Sequence, residues 1–507
     1  MKSLKRRAAE WLARRRAAHV GRRAAVSQRD LLTAHLRRAA STRFGKEHDF
    51  QAVLRDRDPV AAYRKAVPVR DYEALRPYFE RAADGARDEL WPGKPLYLAK
   101  TSGTTGGAKY LPLTRESVPH HVRGARDALL FYIARTGNSA FLDGKMMFLS
   151  GSPALEVNRA GIRVGRLSGI AQHFVPRYLQ SNRLPSFAVN CIEDWEEKIS
   201  AVVQETVGED LRLISGIPPW VQMFFERLRE TTGKSPIEQW PRLSVFIHGG
   251  VDFTPYKQTF ERSLGGRVDV VEVYPASEGF IAVQDAAPQD GLLLGLDYGI
   301  YFEFIPLEEY GKPDARRLGL EQVETNVQYA LVLTTDAGLW AYDLGDTVRF
   351  TSLNPPRIKV TGRVKHFISA FGEHVIAEEV NAAMSAAVEE CGGEVAEFTV
   401  APLVSPTESR HEWWVEFVRK PDDPQRFAAA LDAALVRLNP YYKDLRQGNI
   451  LLPARLVPLK PGACNHYMKS IGKLGGQNKF PRLTNDRKLV EALLPFVEGP
   501  HLVESSN

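Results

Sequence analysis

The chain has 507 residues, 44% of them hydrophobic and 25% charged; this is too long for one ordinary core and predicts two or more domains, each with apolar surface to bury. A net charge of +6 at pH 7 with an ordinary charged fraction does not by itself demand a nucleic-acid partner. No run approaches the roughly 20 apolar residues of a membrane span, and Cys191, Cys391 and Cys464 stand far apart with no CxxC, so we expect neither a disulfide framework nor a zinc site, and a cytoplasmic location.

Much of the positive charge lies in "MKSLKRRAAEWLARRRAAHVGRRAAVSQRDLLTAHLRRAA". A basic amphipathic anchor is one reading; the other, which we adopt, is a pair of solvated surface helices with Trp11, Leu12, Leu31, Leu32 and Leu36 facing inward. No uninterrupted apolar stretch follows the charges, so a secretory leader is not expected. The first 90 or so residues read as a helical lead-in, and Pro92, Gly93 and Pro95 then punctuate the approach to the strand of "LYLAK". Next comes "TSGTTGGAK", Thr101 to Lys109, where glycines let backbone N–H groups approach an anion and hydroxyls and a lysine add donors. A Walker loop has Gly before its Lys and Ser or Thr after it; Ala108 and Tyr110 stand there instead. The loop therefore belongs to another class of nucleotide chemistry.

Beyond it, "ESVPHHVRGARDALLFYIART" and "PPWVQMFFERLRE" read as helices, while "KMMFLSG", "LSVFIHGG", "VDVVEVYPASEGF", "GIYFEFIPL" and "QYALVLTT" read as strands. Strands alternating with helices predict an α/β domain with a largely parallel sheet and its ligands at strand ends. From "RIKVTGRVKHF" onward the text changes to a strand, a helix with Val380, Met384 and Val388 at spacings of four, then "EFTVAPLV", "EWWVEFV" and the helical "QRFAAALDAALVRL". This predicts a smaller α+β domain, and we place the boundary near Gly362, with domains of 1–362 and 363–507.

Four further motifs sit in these turns. In "EVYPASEGF", Tyr274 suits stacking on a flat purine and Glu278 suits a metal ion bound to phosphate, against the alternative of a plain turn with a surface Glu. Pro275 occupies the place where a nucleophile elbow needs Gly, which argues against Ser277 as a nucleophile. In "YDLGDTVRF", Asp346 follows a Gly turn and is able to accept from both ribose hydroxyls, although Gly-Asp turns are common. In "GRVKHFI", Arg363 suits ribose or phosphate, or is a solvated charge in a linker. In "GGQNKFPRL", Lys479 sits in a late Gly-rich loop, and gains weight only from the company of the others.

In that order the motifs resemble the adenylate-forming enzymes. With "VPVRDYEALRPYFERAADGARDELWPGKPLYLAKTSGTTGGAKYLPLT", "SGIPPW", "HGGVDFTPY", "VYPASEGFIAVQ" and "NKFPR" the chain is similar, from about residue 40 to 485, to the Gretchen Hagen family of acyl-acid amido synthetases. "YPASEG" and "HGGVDF" resemble bacterial members, so the plant substrates of the family are not carried over. The resemblance implies a large N-terminal adenylate-forming domain, a smaller mobile C-terminal one, and ATP-dependent conversion of a carboxylic acid to an acyl-AMP, which an amine, expected to be an amino acid, converts to an amide. It implies that Ser102, Gly103, Thr104, Thr105 and Lys109 hold phosphates, Tyr274, Ala276 and Ser277 adenine, Glu278 Mg2+, and Asp346 with Arg363 the ribose. Lys479 would be the catalytic lysine and Lys365 the hinge of a swing about residues 362–365. An acyl-CoA ligase using a thiol, or a nucleotide-binding protein without catalysis, are the alternatives. We name no base: His120, His121, His173 and His248 read as packing or surface histidines, and Arg163 and Arg166, in a stretch expected by analogy to line the acyl pocket, as solvated. Neither nucleic acid nor integral membrane association is expected.

Overall fold

The structure, a computed structural model, describes residues 4–20, 24–101, 109–174, 180–250, 253, 257–364, 367–368, 373, 375–404, 408–448, 450–475 and 478–499. They divide into two compact units, one of residues 1–250 and 267–360, the other of residues 251–266 and 361–507.

The first unit opens with helices: α1 (Leu4–Ala17), α2 (Ala24–Ala39) and four shorter ones ending with Tyr72–Ala83. Aspartates cap the later members. Asp58 accepts from Val60 N and Ala61 N, and Asp71 from Ala74 N, each satisfying amides that a helix start leaves unpaired. Phe44, Phe50 and Tyr63 of the shorter helices, with Trp91, pack around the ring of Trp340, whose Nε1 donates to the Leu90 carbonyl at 3.0 Å. Glu303, fully buried, accepts from Arg64 at 2.8 Å and pairs with Arg317, tying the lead-in to the sheet.

One expectation is corrected here. Leu32 and Leu36 of α2 are fully buried, but Trp11 and Leu12 of α1 are 55% and 46% exposed. The inward face of α1 is built instead from small and charged residues. Ala13 and Ala9 pack against the helix Val118–Thr136, and Arg16 donates to buried Asp127 at 2.7 Å. Alanines permit close helix approach and the ion pair selects the face, so the largest apolar side chains are left outside.

The main sheet has eleven strands, in the order Ile300–Pro306, Gln328–Thr335, Tyr342–Leu353, Pro356–Arg363, Leu292–Leu294, Phe280–Val283, Asp269–Pro275, Val245–Gly249, Leu211–Ser215, Lys145–Phe148, Arg183–Leu184. From Asp269–Pro275 to Arg183–Leu184 every pairing is parallel; in the other direction the recorded pairings are antiparallel. A second sheet of four strands carries the hairpin Tyr97–Thr101 with Lys109–Leu113, beside Arg163–Gly165 and Glu156–Val157.

In the second unit, strands Glu394–Leu403, Arg410–Arg419 and Arg455–Leu459 form a sheet covered by helices Ala377–Cys391 and Pro424–Leu438. Val380 and Met384 are fully buried and Val388 packs at the edge of that core, as their spacing predicts. The helix Lys257–Leu264, which lies in sequence between two strands of the main sheet, packs in this unit. Its Thr259 hydroxyl donates to the Val395 carbonyl at 3.3 Å, Arg262 pairs with Glu394, and Phe260 is buried. The fold is thus α/β with a large, partly parallel sheet and a smaller α+β unit, the class that the alternation of strand and helix predicts.

Replacing Glu303 with Ala strands two guanidinium groups, one of them buried. We expect Glu303→Ala to destabilise the first unit by about 3–5 kcal/mol, read as a lowered urea midpoint; an unchanged midpoint would show that the pair does not hold the lead-in.

Candidate functional site

The loop of "TSGTTGGAK" spans a hairpin. Its flanking strands pair antiparallel, with Thr101 opposite Lys109 as the closing pair, so the loop runs strand to strand, not into a helix N-terminus as a Walker loop does. Ser102, Gly103, Thr104 and Thr105 lie outside the described residues, as does Lys365. Lys109 is described: it is half-buried and its Nζ sits 5.1 Å from the centre of the Tyr72 ring, whose hydroxyl accepts from Tyr110 N at 3.0 Å.

Tyr72 leads to the rest of the site through its neighbours. The backbone of Arg70 brackets the start of strand Tyr342–Leu353, donating to Ala341 O at 3.0 Å and accepting from Asp343 N at 2.8 Å. Tyr342, buried at that strand's start, points its hydroxyl at Glu278 Oε1, 3.3 Å away. Burial and the Glu278 carboxylate push the Tyr342 phenol up, so it stays a donor. Tyr342 stands inside one of the motifs but was given no role by the sequence; its place beside "GD" at a strand start was the available signal.

Glu278 belongs to the turn between strands Asp269–Pro275 and Phe280–Val283, closed by Ala276 N to Gly279 O at 2.9 Å and Gly279 N to Ala276 O at 3.2 Å. Ala276, Ser277 and Glu278 are all half-buried there. Gly279 packs closely: a Cβ at that position would stand 2.6 Å from Ile300 Cδ1, so that side chain would have to shift. Tyr274, at the end of the incoming strand, is 8% exposed and donates to Asp346 Oδ2 at 2.5 Å. The structure therefore joins the Tyr274 and Asp346 motifs directly.

Asp346 reaches that position because its strand bulges. Thr347 pairs with Ala330 and Asp343 with Val332, so three residues, Leu344, Gly345 and Asp346, stand where the partner strand has only Leu331. Gly345 adopts φ 78 and donates its N–H to Asp343 Oδ1 at 2.9 Å, a left-handed corner that favours glycine. Among the described residues no three His, Cys, Asp or Glu side chains gather as a metal cage. A single carboxylate such as Glu278 fits a magnesium ion whose other ligands are phosphate oxygens and water.

Arg363 and Lys479 belong to the second unit and both are exposed. Arg363 ends the strand Pro356–Arg363. Lys479 sits in a loop fixed three residues on: Arg482 pairs with Glu397 at 2.5 Å and lies over Phe398, while Leu483 bridges to Val400.

The strands Glu156–Val157 and Arg163–Gly165, in the stretch read as lining an acyl pocket, share the sheet of the Tyr97–Leu113 hairpin, with Tyr97 opposite Arg163 and Ala99 opposite Gly165. Arg163 is exposed, as expected. Arg166 is not simply solvated: it is half-buried, and burial pulls its guanidinium below the usual range. Nearby Lys198 is buried, donates to the carbonyls of Asn190 at 2.6 Å and Ser150 at 3.0 Å, and is pulled down to about 8 by burial. Among the histidines, His121 and His248 are buried and pulled down to about 4 and about 3 by burial, so both are neutral near pH 7. His120 lies 3.0 Å from Asp336, and His173 bonds the Pro153 carbonyl at 3.0 Å.

Because His121 titrates near 6.5 when unfolded and near 4 when folded, the unfolded chain takes up this proton first as pH falls. Its contribution to stability is intact above pH 6.5 and lost as pH drops to about 4. We expect His121→Gln, which carries no such proton, to gain on the native protein by roughly 3 kcal/mol over that interval; parallel pH profiles of the two urea midpoints would contradict it.

Comparison with known proteins gives a consistent picture. Models of the GH3 family match along the chain in order: its N-terminal domain at residues 13–183, its central domain at 293–363 and its C-terminal domain at 378–488. Together they cover more than half of the chain. An indole-3-acetic acid-amido synthetase, GH3.10 of Arabidopsis thaliana, is 27% identical over 85% of this chain and 87% of its own length. The solved AtGH3.15 acyl acid amido synthetase in complex with 2,4-DB superposes with a TM-score of 0.78, at 18% identity, over 97% of this chain and 96% of its own. A 2-hydroxyisobutyryl-CoA ligase in its postadenylation state, in complex with 2-HIB-AMP, is similar in fold at a TM-score of 0.59 and 15% identity, over 92% and 90% of the two chains.

Proposed function

The chain belongs to the GH3 family, and from that premise we propose that it is an ATP-dependent ligase that joins a carboxylic acid to an amine, an amino acid in our reading, through an amide bond. The observation that carries the proposal is the Tyr274–Asp346 contact at 2.5 Å beside the Glu278 turn: two strand-end motifs of the family, far apart in sequence, meet at one place.

A carboxylate does not acylate an amine at neutral pH, because its oxygen is a poor leaving group. In the first half-reaction a carboxylate oxygen attacks the α-phosphorus of ATP, the bond to the bridging oxygen breaks, and pyrophosphate leaves. In the second the amine nitrogen attacks the acyl carbon, AMP leaves and the nitrogen loses a proton. Ser102, Gly103, Thr104, Thr105 and Lys109 would hold the β and γ phosphates, Tyr274, Ala276 and Ser277 the adenine, and Asp346 with Arg363 the ribose. Glu278, oriented by the Tyr342 hydroxyl, would hold Mg2+, which supplies charge neutralisation at the phosphates. Lys479 would bring positive charge to the α-phosphate. The small unit would turn about residues 362–365, with Lys365 as the hinge, between the two half-reactions. The free thiols of Cys191, Cys391 and Cys464 suit a reducing cytoplasm.

The test is ATP–pyrophosphate exchange with a panel of carboxylic acids, without amine or thiol, followed by product mass with amino acids added. Exchange that depends on one acid class, and a product heavier by one amino acid minus water, is the expected result. The likeness in fold to the CoA ligase makes a thioester with coenzyme A the specific competing outcome. Removing one positive charge that acts on the transition state costs about 3 kcal/mol, so Lys479→Ala should slow exchange roughly a hundredfold while ATP binding stays measurable. Unchanged exchange would remove that role.

A further inference from the structure

The outward face of α1 has no part in the site described above. The helix carries Lys5, Arg6, Arg7, Arg14, Arg15 and Arg16 and one acidic residue, Glu10. Its inward side is fixed by polar contacts. Arg6 donates to Ser139 at 3.0 Å and to Asp143 at 3.2 Å, Ser139 donates to Glu10 at 2.6 Å, and Arg16 pairs with Asp127, which is fully buried. These bonds consume the only carboxylate of the helix and set its rotation.

What then faces outward is apolar and cationic at once. Leu4, Trp11 and Leu12 are 84%, 55% and 46% exposed, and with Ala8 they follow the spacing of one helix face. The remaining exposed large apolar residues, such as Val157 and Phe187, are scattered over separate elements. Lys5, Arg7, Arg14 and Arg15 are also exposed. None of these four forms an ion pair among the described residues, and Arg15 lies over the Trp11 ring at 4.7 Å. In α2, by contrast, Arg29 is neutralised by Asp58 at 2.7 Å and Arg38 by Glu116 at 3.3 Å.

We infer that this face of α1 is a docking surface for an anionic lipid bilayer, lying in the interface plane with Leu4, Trp11 and Leu12 inserted and Lys5, Arg7, Arg14 and Arg15 against lipid headgroups. Basic side chains flanking a tryptophan and leucines, on a helix held parallel to the protein surface, are what interfacial binding requires. Nucleic acid would use the arginines but has no use for three large apolar side chains.

The test uses the full chain in co-sedimentation with vesicles of phosphatidylcholine alone or with about a third phosphatidylserine. The expected result is binding to the anionic vesicles only, weakened by salt. Trp11→Ser with Leu12→Ser should lower it at least about tenfold at every salt concentration, and Arg7→Gln, Arg14→Gln and Arg15→Gln together roughly a hundredfold at low salt, with little salt dependence left. These exposed substitutions should leave the thermal midpoint and pyrophosphate exchange unchanged. Equal binding to both vesicle types, no binding to either, or binding that survives loss of Trp11 and Leu12 would overturn the inference. So would concentration-dependent self-association abolished by the same double substitution, or binding to duplex DNA at the same salt in place of vesicles.

Discussion

The strand Asp269–Pro275 is bonded in parallel to one neighbour and antiparallel to the other, and the candidate site follows from that constraint. A parallel strand needs a long crossover to reach its neighbour, whereas an antiparallel one needs only a tight turn. At Pro275 the sheet changes from the first mode to the second. The carboxyl end of the strand is therefore followed at once by the half-buried turn Ala276–Gly279 rather than by a helix. The antiparallel strands beyond return Asp346 to the hydroxyl of Tyr274. Parallel sheets form crevices at strand ends by topology; here the strand-end turn arises where the sheet changes direction.

Much of this was legible in sequence because it is local. Strands such as "QYALVLTT" and the helix beginning at Ala377 declare themselves by period and composition, and the fold class follows from their alternation. Single motifs were legible as strand-end turns. Their mutual distances were not, since the bulge that carries Asp346 depends on a register between strands that no single segment encodes. Tyr342 was overlooked for the same reason: its role is a contact with Glu278, 64 residues away. The face of α1 was misread because hydrophobicity ranks Trp11 and Leu12 above Ala13, while the helix is held by Arg16 and a buried carboxylate on another helix.

The second unit uses the same economy around its lysine loop. Lys479 is exposed, but the chain three residues later is fixed by an ion pair, a ring contact and a backbone bridge, all to the strand Glu394–Leu403. A flexible side chain on a rigid base gives reach without a large ordering cost in the backbone. That strand also receives the helix Lys257–Leu264 on Val395 and Glu394, so it organises both the lysine loop and a segment drawn from the middle of the sequence.

That segment makes the division between the units a plait, not a single cord. The polypeptide passes from one unit to the other after residue 250, returns after 266 and passes again after 360. Three covalent strands of chain thus join the two bodies. A cleavage near residue 361 would leave them tied, and a fragment of residues 361–507 would lack Phe260 and the rest of a helix that bonds to its strand Glu394–Leu403.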